Sequence, residues 1–72
     1  MPRRLNKLEL GVLIRADRFG EIMPTTKDEI EACLKLQGHD LMGQHDAAPG
    51  VFFITAMGER AMAKALALKN AA

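Results

Sequence analysis

The sequence predicts a small α+β domain of two helices, a β-hairpin and a C-terminal helix. Three observations carry this. Two stretches before residue 39 repeat apolar residues at helical spacing. Two short apolar or β-branched runs flank the turn-rich segment "HDAAPG". The last segment, "AMGERAMAKALALK", is rich in alanine, leucine and lysine, which favour helix. At 72 residues the chain is one domain. Residues 1–4 read as a basic N-terminal arm and Asn70 to Ala72 as a frayed tail.

The first helix is expected over Leu5 to Phe19, with Asn6 as N-cap and Gly20 as its stop. Leu5, Leu8, Val12, Ala16 and Phe19 fall on one stripe, and Leu10, Leu13 and Ile14 lie outside it. A helix apolar on more than one side is either central or covered by something else. Pro24 separates it from the second helix. There Thr26 stands three residues before Glu29, a capping-box spacing. Asp28, Glu29 and Glu31 put negative charge where the helix dipole favours it. Ile30, Cys33, Leu34 and Gln37 form the expected inward stripe, and Gly38 the expected C′ stop.

Leu41–Gln44 and Val51–Ile54 are the two strands, with Asp46, Pro49 and Gly50 as turn residues between them. Phe52 or Phe53, with Ile54, is expected in the core. Thr55 ends the strand and caps the last helix, and Glu59 sits in that helix's first turns.

The segment from Leu34 onward is similar to the second half of a winged helix-turn-helix domain of the MarR-type regulators. Leu34 to Gly38 matches the end of that family's recognition helix. Leu41 to Ile54 matches its wing, and Ile54, Thr55, Gly58, Glu59 and Arg60 match the junction into its C-terminal helix. The resemblance covers roughly half the chain. It implies a winged-helix-like fold and a DNA-associated, transcription-related function, with the second helix as the recognition helix. Lys27, Lys35 and Gln37 would then contact phosphates and base edges. Arg3, Arg4 and Lys7 would lie along the backbone or in a minor groove. The sequence also departs from the family. Two helices precede the hairpin where the family has three, and the wing turn holds Asp46 and Pro49 but no lysine or arginine. A wing that grips DNA is usually basic.

Charge leaves a second function class open. The net charge is +1, without the basic excess typical of a dedicated nucleic-acid binder. A protein–protein interaction module on the same scaffold, with no DNA role, fits the acidic second helix.

No enzymatic constellation is present. The chain has no serine, and Cys33 lies on an inward stripe, where a small core residue is expected. His39-Asp40 and His45-Asp46 could in principle meet a divalent ion, but no third histidine or second cysteine completes a set, so no metal and no cofactor are expected. One cysteine excludes an internal disulfide and suits a reducing compartment, hence a cytoplasmic location; no membrane association is expected.

Chains this short bury only roughly 60% of their unfolded surface. A partner chain is the expected source of further stability. Met57, Ala61, Ala65 and Leu68 form one stripe on the last helix, with Met62 and Leu66 beside it. Together they predict a homodimer interface wider than a single core contact needs, which Leu10 and Ile14 could join.

Overall fold

The computed structural model describes residues 5–70. The expected arm over 1–4, and Ala71 and Ala72 of the expected tail, lie outside that range. The chain folds as helix α1 (Lys7–Phe19), helix α2 (Lys27–Gly38), strand β1 (Met42–Gln44), strand β2 (Phe52–Ile54) and helix α3 (Ala56–Asn70). It is an α+β domain in the predicted order. Asn70, expected to fray, is the last residue of α3.

The N-terminus of α1 is a complete capping box. Asn6 Oδ1 accepts from the Glu9 amide at 2.7 Å, and Glu9 Oε1 accepts from the Asn6 amide at 3.0 Å. Two amides that the helix itself cannot satisfy are thereby paired. The buried face is Glu9, Val12, Leu13 and Ala16. This corrects the expected stripe: Leu13 is inside, while Leu8 and Phe19 are exposed. The physical reason is that α1 packs against α2, α3 and β2 together, so its inner face is set by three neighbours.

In α2, Thr26 Oγ1 accepts from the Glu29 amide at 3.2 Å, as the cap spacing predicts. The Glu29 carboxylate turns instead to Arg15 of α1. The buried residues are Ala32, Cys33 and Leu36. The helical period was legible but not its phase: Ile30 and Leu34 stand exposed on the flank and Gln37 is half buried. The stop is corrected too. Gly38 is still helical, and the left-handed residue is Asp40, with φ 63°. Asp40 N donates to Gln37 O at 3.0 Å and Leu41 N to Leu36 O at 2.9 Å. That pair of bonds is a Schellman closure with aspartate at C′, a residue type that tolerates this backbone region.

β1 and β2 pair antiparallel, with Met42 opposite Ile54, Gly43 opposite Phe53 and Gln44 opposite Phe52. Ile22, in the link between the two helices, exchanges two 2.8 Å backbone bonds with Phe52. β2 therefore lies between β1 and Ile22. Gln44 ties the hairpin to its surroundings: its Oε1 accepts from the Gly50 amide at 2.6 Å, and its Nε2 donates to Gln37 at 3.3 Å. The core gathers Val12, Leu13 and Ala16 from α1, Ala32, Cys33 and Leu36 from α2, and Met42 and Phe52 from the hairpin. Met62 of α3 packs against it half buried.

Candidate interaction surfaces

Cys33 is buried at the α1/α2 contact. Burial, and secondarily the Glu29 charge, pushes its thiol up to about 11. It is therefore protonated at neutral pH and is a core residue, not a nucleophile. Arg15, hydrogen-bonded to Glu29, holds that carboxyl below its usual range. The two histidines do not converge. His39 caps α2, while His45 Nε2 sits 3.3 Å from Glu21 and its ring packs 5.0 Å from that of Phe53. Among the described residues, no three metal-ligating side chains come together. No described helix is long and apolar enough to cross a membrane.

The residues predicted for DNA do not form one patch. Arg3 and Arg4 lie outside the described residues. Lys7 opens α1 and Lys27 opens α2, both exposed, and Lys35 is exposed in the last turn of α2. Gln37 is half buried and its oxygen accepts from Gln44. Asp28 and Glu31 stand between the two lysines along α2.

Those acids border an open groove between the start of α1 and α2, which runs past the capping box of Asn6 and Glu9. Leu8, Ala32 and Leu34 are its apolar lining, and Glu9, Asp28, Glu31 and Lys35 are its charged residues. Leu8 is 40% and Leu34 51% exposed, large apolar side chains left facing solvent. The groove was not legible in the sequence, because it needs both helices in their true phases.

α3 buries no side chain fully among the described residues. The two predicted stripes separate. Met62 packs against the core, with Leu66 half buried beside it. Ala61 and Ala65 are half buried, and Met57 and Leu68 are 51% and 62% exposed on the flank. On a 100° helical wheel Met57, Ala61 and Leu68 share that flank.

The start of α3 is fixed to the α2–β1 corner. Thr55 Oγ1 donates to Asp40 O at 2.7 Å and accepts from the Gly58 amide at 3.0 Å. The Thr55 amide donates to Leu41 O at 3.2 Å. The threonine thus caps α3, as the sequence predicts, and also holds the helix to its neighbours. No family model, curated protein or solved structure matches the chain.

Proposed function

We propose that this chain is a cytoplasmic protein–protein interaction module on a winged-helix-like scaffold, and that it works as a homodimer. The observation that carries this is the exposed flank of α3, where Met57 and Leu68 stand more than half exposed beside the small Ala61 and Ala65. Small residues allow close helix approach, and the larger side chains at either end supply apolar area to bury. A two-fold axis across this flank would bury the same stripe on both copies. A domain of 72 residues gains most from doing so. Sedimentation at tens of micromolar is expected to give a mass that rises with concentration towards that of two chains. Met57→Lys or Leu68→Lys should weaken association at least roughly tenfold, because each places a charge in a desolvated contact. A parent protein that stays monomeric throughout would refute the dimer.

DNA association is the second reading, and the observation that favours it is the junction Thr55-x-x-Gly58-Glu59-Arg60 with its formed cap. Two features weigh against it: the acids between Lys27 and Lys35, and a hairpin with no lysine or arginine from Met42 to Ile54. Duplex DNA titrated at low and moderate salt is therefore expected to bind weakly. A steep salt slope that flattens in the Lys27→Glu, Lys35→Glu double variant would transfer the α2 surface to DNA.

A further inference from the structure

The geometry points to a second docking site: the α1/α2 groove takes a basic amphipathic helical segment of a partner protein. This rests on the interaction-module reading but not on self-association through α3. Three of the described side-chain carboxylates have partners. Glu9 is engaged in its capping box, Glu29 with Arg15 and Glu21 with His45. Among the described residues the side chains of Asp17, Asp40, Asp46 and Glu59 have none, and those of Asp28 and Glu31 share that state but also line the groove.

Asp28 lies in the first turn of α2, where the helix dipole accounts for it. Glu31 lies beyond that turn. Three residues apart on α2, the pair is separated by a rise of about 4.5 Å, close to the roughly 6 Å between successive i, i+4 side chains on a partner helix. Exposed Leu8 and Leu34 supply the apolar contacts such a helix needs. Lys35 lies one turn beyond Glu31, so the groove is acidic towards the start of α2 and basic towards its end. That polarity sets the direction of the bound segment, with its cations over Asp28 and Glu31. The same charge order disfavours a nucleic acid or an anionic membrane surface here.

A fluorescein-labelled synthetic helix carrying leucine and arginine at i, i+4 spacing is the probe, read by anisotropy. The full chain is expected to bind it. The Asp28→Asn, Glu31→Gln variant should bind about tenfold more weakly, the loss of two exposed ion pairs. Leu34→Ser should lose at least about as much through apolar contact. A control helix with glutamate for each arginine should not bind. All the substituted side chains are exposed, and unchanged thermal melts would show the fold intact. Absence of probe binding, or equal binding by parent and variants, overturns the proposal. Self-association is read from mass and from the α3 variants, so either site can fail without the other.

Discussion

Phe52→Ala is expected to leave the domain largely unfolded. Phe52 is 2% exposed and belongs to the core formed by α1, α2 and the hairpin. Its backbone also joins β2 to Ile22 through two 2.8 Å bonds. Truncating a buried phenylalanine costs roughly 3–5 kcal/mol, the lost transfer energy plus the cavity left behind. A chain of this length has on the order of 4–11 kcal/mol in total. Thermal unfolding followed by circular dichroism should therefore show a Tm lower by roughly 15 °C or more, or no cooperative transition. Phe53→Ala is the internal comparison. Phe53 is half buried, its ring lying over Gly43 and beside His45, so its truncation should cost distinctly less. Equal losses in the two variants would mean that the facing of β2 is wrong.

The sequence left that choice between the two phenylalanines open, and the reason is general to this chain. Adjacent residues on a strand point to opposite faces, so two aromatics in succession give no sign of which is inside. The helices repeat the lesson. Their existence, their order and the caps at Asn6, Thr26 and Thr55 were legible, because a cap is made by chemistry within three residues. Their phases were not. Leu13 is fully buried and Leu34 half exposed because α1 is surrounded on three sides and α2 is rotated about its contact with α1 and β1. Apolar side chains cover much of both helices, so periodicity alone could not choose the inner face. Asp40 was missed at C′ because glycine is the usual residue there and Gly38 stood nearby. The groove combines both difficulties, since the apolar spacing puts Leu8 on the expected inner stripe of α1 and Leu34 on that of α2. On α3 the predicted stripes do not stay together: Met62 packs against the core, while Met57 and Leu68 stand exposed on the flank.

Gly58→Ala is expected to destabilise the protein although alanine is the better helix former. Gly58 lies in the first turn of α3, and propensity alone predicts a gain of up to about 1 kcal/mol. Space predicts the reverse. A Cβ at this position would run into the backbone carbonyl of Leu41 and come within 2.8 Å of Ile54 Cγ1. The carbonyl cannot swing aside as a flexible side chain could, because it already accepts the Thr55 amide and belongs to the corner closed by Leu41 N to Leu36 O. α3 would have to lift, and lifting it strains the Thr55 bond to Asp40 O that holds its start. Overpacking of this kind costs typically about 1–3 kcal/mol, enough to outweigh the propensity gain. Gly11→Ala provides the opposite sign. It lies within α1, and beyond the helix's own backbone nothing comes within 4 Å of an added Cβ, so the propensity gain should appear nearly intact, about 0.5–1 kcal/mol. Melting curves of the two variants should therefore shift in opposite directions from the parent. A Gly58→Ala protein at least as stable as the parent would mean that α3 does not rest on Leu41, and the glycine in the junction would then lose its structural reason.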